Sequence, residues 1–286
     1  MLAGIDHVVL AVEDPEAAAV TLAEKLGLEA TGGGRHEALG TFNRLVWLGD
    51  SYLELIGVFD PELAARSWLG PAVLASIERG GGLATWAVAV EDLDRQLTWL
   101  PPDAGFVGPL DGERRRDDGR VVRWRLAHPP ALSPTTPFLI EHDLDGAEWT
   151  PDERAARAEQ RHAVGGRVRL AGVEVATETA PVAAGRLRRL LATSAEPAGR
   201  GVVRIALGRQ EVRIVQARPR GVAAVDLLVD VPLPRRRSVM LGDCEVRLSG
   251  IALTGTDAAT ATDETSHPDG QQTRGSGAHR DGSGDV

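Results

Sequence analysis

The stretch Gly40-Thr41-Phe42-Asn43-Arg44-Leu45-Val46-Trp47-Leu48-Gly49-Asp50-Ser51-Tyr52-Leu53-Glu54-Leu55-Ile56 decides the fold. Two apolar-rich runs meet at Gly49-Asp50, a pair suited to the positive φ angles of a tight turn, so the stretch reads as a β-hairpin. With that pair as the two-residue loop, Leu48 faces Ser51, Leu45 faces Glu54 and Asn43 faces Ile56. Side chains alternate faces along a strand, which puts Asn43, Leu45, Trp47, Tyr52, Glu54 and Ile56 on one side. Glu54 is the anomaly there. A carboxylate on a largely apolar face must be paired, protonated or bound to something. The plain alternative, a solvated face, would expose Leu45, Trp47 and Ile56 together.

Upstream, Ile5 to Val12 reads as a strand. Asp14 caps a helix, Pro15 suits its first position and Glu16 its positive end. The helix runs from Ala17 to Leu26 and stops at Gly27. A strand or loop crosses Glu29 to His36, so the order is β-α-β-β-β. Downstream, Asp60 to Ile77 carries helical signals interrupted at Gly70-Pro71. The pattern then restarts, because the stretch from Trp86 to Asp94 echoes the one from Val8 to Glu16. A short helix from Leu93 to Leu100 follows. An irregular segment spans Gly112 to Gly119, and Val121 to Leu126 and Phe138 to Glu141 supply strands. In this register His7 falls on Thr85, and Glu141 is the counterpart of Glu54. Regular alternation turns His142 away from the Glu141 face.

A charged helix from Thr150 to about His162 leads to a third, weaker copy. Its parts are a strand from Ala171 to Thr177, a helix from Pro181 to Leu191, and a hairpin from Val202 to Ala217. A fourth fragment, Gly221 to Val231 and Ser238 to Leu248, has strands without a helix. Arg213 and Arg247 stand where Glu54 and Glu141 stand in the first half. Cations do not coordinate cations, so this half is expected to lack a metal and to act as scaffold or partner surface. From about Thr254 the chain has almost nothing to bury, and disorder is the expectation. The expected fold class is α+β, built from paired β-α-β-β-β units with a degenerate second pair C-terminal. The expected domains are 1–145, a helical connector 146–164, a degenerate β-rich half 165–252, and a tail 253–286.

Composition sets the outer bounds. The 286 residues are 43% hydrophobic, enough for a sizeable core. A net charge of −9, with basic runs only at Arg114-Arg115-Arg116 and Arg235-Arg236-Arg237, argues against nucleic acid as a partner. Cys244 is the sole cysteine, which excludes an intrachain disulfide, a CxxC pair and a cysteine-based zinc site. The N-terminus does not resemble a signal peptide and no run is long enough to span a bilayer, so a cytoplasmic protein without a membrane partner is expected.

Ile5-Asp6-His7-Val8, His36 with Gly40 to Leu45, Tyr52-Leu53-Glu54-Leu55-Ile56, Asp118-Gly119 with Trp124, and Pro137-Phe138-Leu139-Ile140-Glu141 occur in order. Together they resemble the vicinal oxygen chelate superfamily, in its glyoxalase-like branch. The resemblance implies that the paired units form a curved, cup-shaped mixed sheet holding a divalent metal, which adjacent oxygens of a small substrate chelate. It implies His7, Glu54 and Glu141 as metal ligands, with Glu54 and Glu141 also catalytic. Asn43, Trp47, Tyr52 and Trp86 would line the substrate pocket. One imidazole and two carboxylates suit Mn, Zn, Ni, Co, Fe or Mg. Thr85 departs from the pattern, because many members place a second histidine there. The iron triad of extradiol dioxygenases is therefore not assembled.

The superfamily includes glyoxalases, dioxygenases, epimerases, thiol transferases and metal-free binding proteins, so the resemblance names no single reaction. A metal-dependent enzyme of isomerase or lyase type is one expectation. A metal-free protein that sequesters a small molecule is the alternative, and a non-catalytic interaction module is the third. The resemblance also leaves two assemblies open, a cup formed within one chain and a homodimer that exchanges units.

Overall fold

The computed structural model describes residues 2–217 and 223–252. Strand β1 (Leu2–Ala11) leads into helix α1 (Pro15–Leu26). The Asp14 carboxylate caps α1, accepting from the Glu16 and Ala17 amides at 2.9 and 3.2 Å. Strands β2 (Gly32–His36), β3 (Thr41–Leu48) and β4 (Ser51–Val58) complete the first unit. The β3–β4 register sets Leu48 opposite Ser51, Leu45 opposite Glu54 and Asn43 opposite Ile56. Gly49 turns the hairpin at φ 76°, a conformation that favours glycine. Two short helices follow, α2 (Pro61–Arg66) and α3 (Gly70–Glu78).

The second unit comprises β5 (Gly82–Val90), α4 (Leu93–Trp99), β6 (Val107–Arg115), β7 (Val121–His128) and β8 (Phe138–His142). The segment expected to be irregular from Gly112 is in part a strand. Its pairing with β7 continues from Gly112 opposite Trp124 to Arg115 opposite Val121, and only a tight turn remains beyond it. The eight strands close into a barrel in the order β1-β4-β3-β2-β6-β7-β8-β5. The closure takes place within one chain. One seam is the antiparallel β1–β5 ladder, and at the other β2 meets β6 through the single registered pair Arg35 and Arg115.

Alternation along these strands sorts the side chains into layers. Val9, Ala11, Ile56, Phe138 and Ile140, with Leu69 and Val73 from α3 and its cap, fill one end of the barrel. Leu45, Trp47, Tyr52, Val122 and Trp149 fill the other. The outward set, including Val8, Leu10, Leu53, Leu55, Trp86 and Val88, joins a second core.

That core is shared with a second sheet. After α5 (Pro151–Glu159) come β9 (Val168–Thr177), α6 (Ala180–Leu191), β10 (Ala195–Pro197), β11 (Val202–Leu207) and β12 (Gln210–Gln216). Then β13 (Ala223–Val229), β14 (Arg237–Leu241) and β15 (Cys244–Gly250) finish a seven-stranded open sheet in the order β10-β11-β12-β9-β13-β15-β14. Leu170, Val173, Ile214, Val225 and Leu227, with Leu187 and Leu190 of α6, pack into the core that the barrel's outward residues enter. Each such side chain contributes about 1.5–3 kcal/mol on burial. Gln210 pins the two sheets together, accepting from the Ile5 amide at 2.6 Å and donating to the Ile5 carbonyl at 3.0 Å. Both sheets belong to one compact unit. The tail expected to be disordered lies outside the described residues. No helix among the described residues is long and apolar enough to cross a membrane.

Candidate functional site

A polar layer separates the two apolar ends of the barrel. His7 from β1, His36 from the end of β2, Asn43 from β3 and Glu54 from β4 line a cavity of about 40 Å³. That is room for a few water-sized groups. All four residues are at most 5% exposed.

Strand β1 carries a bulge, because Ile5 pairs with Val88 and His7 with Ala87, which leaves Asp6 as the extra residue. Asp6 and His7 are consequently both buried. Asp6 Oδ1 lies 2.5 Å from His7 Nδ1, and its Oδ2 lies 2.9 Å from His142 Nε2. Burial opposes the charge on Asp6, but the His142 and His7 imidazoles outweigh it and hold the carboxyl well below the usual carboxylate range. An ionised carboxylate only accepts, so both histidines donate to it. Nε2 is the His7 ring nitrogen left facing the cavity, 3.7 Å from Glu54 Oε2.

The remaining members surround that pair. Glu54 Oε1 accepts from Asn43 Nδ2 at 2.6 Å. This leaves Asn43 Oδ1 buried without a partner among the described residues. Tyr52 stacks on the His7 ring at 4.5 Å. Burial, then Asp6 and Glu54, push its phenol well above the ordinary value, so it stays protonated. His36 Nδ1 lies 3.0 Å from Thr41 Oγ1, and its Nε2 lies 3.9 Å from Glu54 Oε1. Burial lowers the His36 pKa to about 4 against the pull of Glu54, with Arg114 and His7 adding to the drop. The ring is neutral at pH 7.

The structure brings His7, Asn43, Tyr52 and Glu54 together as the sequence suggests. Trp47 packs at the aromatic end beside Tyr52 and Trp149, next to the cavity but not lining it. Two assignments need correction. Trp86 points out of the barrel into the shared core, and its Nε1 donates to the Pro134 carbonyl at 3.0 Å, because alternation along β5 turns Ala87 inward instead. Glu141 also faces outward, where it accepts from Arg125 Nη1 at 3.1 Å and from the Leu93 amide at 3.4 Å. Strand β8 sends Phe138, Ile140 and His142 inward, one residue out of phase with the expected orientation. His142, turned away in the sequence reading, occupies the inward place. Thr85 is fully buried with its hydroxyl unpartnered among the described residues, and it does not line the cavity.

Three site members, Asp6, His36 and His142, were missed, His36 because its glycine-rich neighbourhood reads only as a strand or loop. Regular alternation sends Asp6 away from His7, and only the adjacent polar pair inside an apolar strand signals the bulge. For His142, the bulk of Phe138 and Ile140 at matching positions is the usable signal.

The expected metal site can be tested on this donor set. Among the described residues, no group of three His, Cys, Asp or Glu side chains is placed to hold a metal ion. His7 and Glu54 offer two donors, and Glu141 is on the other side of the sheet. The residues do not fit a divalent ion held by His7, Glu54 and Glu141.

At the aromatic end, Arg114 donates to the Gly33 carbonyl and to Glu148, the latter at 2.6 Å. Trp149 stacks on His142 at 3.6 Å. Beyond them a groove of about 1700 Å³ opens between the barrel and the second sheet. Trp124, His142 and Trp149 line both spaces and form the partition between groove and cavity.

A solved structure of a hypothetical protein from Staphylococcus aureus shares this fold with a TM-score of 0.72 at 16% identity, covering 86% of this chain and 99% of its own. A methylmalonyl-CoA epimerase from Streptomyces coelicolor, in complex with 2-nitronate-propionyl-CoA, matches 50% of this chain and 99% of its own at 22% identity and a TM-score of 0.38. A variant of 4-hydroxymandelate synthase from Streptomyces coelicolor matches 80% of this chain and 72% of its own at 18% identity and a TM-score of 0.47. Scores this low bear on neither the activity nor the site. No curated protein matches the chain. The family model of the glyoxalase-like domain matches residues 5–191. The chain belongs to the glyoxalase-like domain family.

Proposed function

We propose that the barrel interior is the reaction site of an isomerase- or lyase-type enzyme acting on a small molecule with adjacent oxygens, and that His7 and Glu54 move its proton. The observation that carries this reading is the buried pair of His7 Nε2 and Glu54 Oε2, 3.7 Å apart. An imidazole nitrogen and a carboxyl group at that separation can pass a proton to and from a group held between them. Asp6 fixes the ring and stabilises it when it becomes charged, the role a buried aspartate plays behind a catalytic histidine. Glu54 or His7 would remove a proton next to a carbonyl and return it elsewhere on the substrate. The unpartnered Asn43 Oδ1 would accept from a substrate hydroxyl. Protonated Tyr52 closes the aromatic side. No step runs through a metal, because the donors do not fit one held by three protein groups.

A second reading is a metal-free protein that binds a small molecule without changing it. The small volume of the cavity favours it. The two readings separate in deuterated water. A panel of small α-hydroxy and α-keto carbonyl compounds, followed by proton NMR, should show exchange at the carbon beside the carbonyl with the parent protein. Glu54→Gln and His7→Gln should each slow that exchange by about 100-fold or more, the usual share of general acid–base catalysis. Saturable binding without exchange would leave the binding reading. Exchange unaffected by Glu54→Gln would remove the acid–base pair.

A further inference from the structure

A short strap, residues 143–150, connects β8 to α5 without strand or helix. It carries two buried side chains, Glu148 and Trp149. Of the three partition residues, Trp124 and His142 are paired with each other across β7 and β8, and Trp149 alone belongs to the strap. Its ring lies over His142 at 3.6 Å and edge-on to Trp47 at 6.0 Å, so it closes the aromatic end of the barrel. The Gly146 and Trp149 amides donate to the Asp143 and Gly146 carbonyls at 3.0 and 3.2 Å, inside the strap itself.

Glu148 fastens the strap. Its carboxylate accepts from Arg114 at 2.6 Å and from Arg116 at 3.1 Å, and its carbonyl accepts from Arg157. The Arg114 and Glu148 side chains are 4% and 5% exposed, so each is the other's counter-charge away from water. Glu148 also holds φ 74°, a left-handed conformation that is unfavourable for a residue with a Cβ. Strain of this kind persists only where surrounding contacts hold it, and it gathers at ligand clamps and switch segments. The sizes of the two spaces give the strap a task. Pockets for small organic ligands span about 300–1,000 Å³. The cavity behind Trp149 has about 40 Å³ and the groove in front of it about 1700 Å³. A small organic molecule fits the groove but not the cavity while Trp149 stays in place.

We propose that the strap is a gate between groove and cavity. Release of the Glu148 carboxylate from Arg114 and Arg116 lets Glu148 leave its left-handed conformation, and Trp149 swings off His142 to admit a small organic molecule. The gate rests on the barrel interior being the functional site, whether that site catalyses or only binds. Closed, it keeps water from His7 and Glu54; open, it joins them to the groove. Relief of the backbone strain offsets part of the lost ion pairing, which keeps the opening local.

Thiol labelling of the full chain with methyl methanethiosulfonate tests it. Val122 lines the cavity and not the groove, and it is 2% exposed. The thiol introduced by Val122→Cys reports access to the cavity. Native Cys244, fully buried in the shared core, reports opening of the whole fold. The first should label faster than the second. Adding Glu148→Gln leaves Arg114 without its counter-charge and should raise the ratio of the two rates about tenfold or more. With Glu148→Gly the cavity thiol should label about threefold more slowly than with Glu148→Ala, because glycine takes φ 74° without strain. Equal rates for both thiols, or a ratio that ignores Glu148, overturn the gate. If Val122→Cys does not fold, hydrogen exchange of the parent decides. The Gly146 and Trp149 amides should exchange at rates that low urea leaves unchanged, while those of β1 follow global unfolding. Strap amides that exchange only on global unfolding overturn the gate. No arm depends on turnover, so a gate over an inert cavity is told apart from failure of the acid–base reading.

Discussion

The barrel and the seven-stranded sheet begin with the same order of elements, yet only one of them encloses anything. Glu54 is the fourth residue of β4, and Arg213 is the fourth residue of β12. In the barrel, closure takes water away from Glu54 and leaves it facing a cavity with His7. In the open sheet, Arg213 meets Glu211 at 2.9 Å and Glu174 at 3.1 Å, and also pairs with Asp226. Arg247 meets Glu245 at 2.7 Å and Glu174 at 3.2 Å. Polar groups on an open face settle their charges among themselves, with water to help. Polar groups inside a closed barrel keep unmet capacity. Closure of the sheet, more than the repeated order of its strands, creates the site.

The comparison breaks first if the two sheets are energetically separate. Trp86 lies in the core they share, so Trp86→Ala should cost about 3–5 kcal/mol and move a single unfolding transition. Urea unfolding followed by circular dichroism would show two transitions if the sheets were independent.

A smaller effect separates them by pH. The His36 pKa in the folded barrel is about 4, against an ordinary value of 6.5. Between those values the unfolded chain binds a proton that the folded chain refuses. The stability from burying neutral His36 is therefore complete above about pH 6.5 and is lost as pH falls towards 4. At about 1.4 kcal/mol per unit this amounts to about 3 kcal/mol. His36→Gln should shrink the stability difference between pH 7 and pH 4 by that order, measured by urea midpoints. An Arg213 substitution should leave this limb alone, since the second sheet carries no histidine.

Within the open sheet, Arg213→Met strips a cation from three carboxylates. With a quarter of its side chain exposed, solvent screening holds the cost to about 1–2 kcal/mol, less at high salt. Arg204, half-exposed and paired with Glu196 at 3.0 Å, should matter least. Arg204→Ala is expected to change stability by no more than about 0.5 kcal/mol in the same unfolding measurement.

Much of this was legible in the sequence where local physics is strong. The Gly49-Asp50 turn set the hairpin register to the residue, and with it the shared face of Asn43, Tyr52 and Glu54. The Asp14 cap and the Gly70-Pro71 break were read from single residues. What escaped depended on irregularity or on partners far along the chain. The bulge at Asp6 places adjacent residues in one buried network, which a period of two cannot express. The phase of β8 is decided by its neighbours β5 and β7, so Glu141 and His142 exchange roles. Trp86 followed the same logic. A large aromatic is as well served by a core between two sheets as by a pocket, and nothing local distinguishes them.

The second seam of the barrel has one further consequence. Strands β2 and β6 share a single registered pair, and they approach so closely that a Cβ on Gly34 would lie 2.1 Å from the Arg115 carbonyl oxygen. Glycine keeps the strands in contact there, but few main-chain bonds hold them. Local opening runs along the lines with the fewest such bonds. The line of fewest main-chain bonds in the barrel therefore lies between β2 and β6, away from β1, β4 and β5, whose outward side chains enter the core shared with the second sheet.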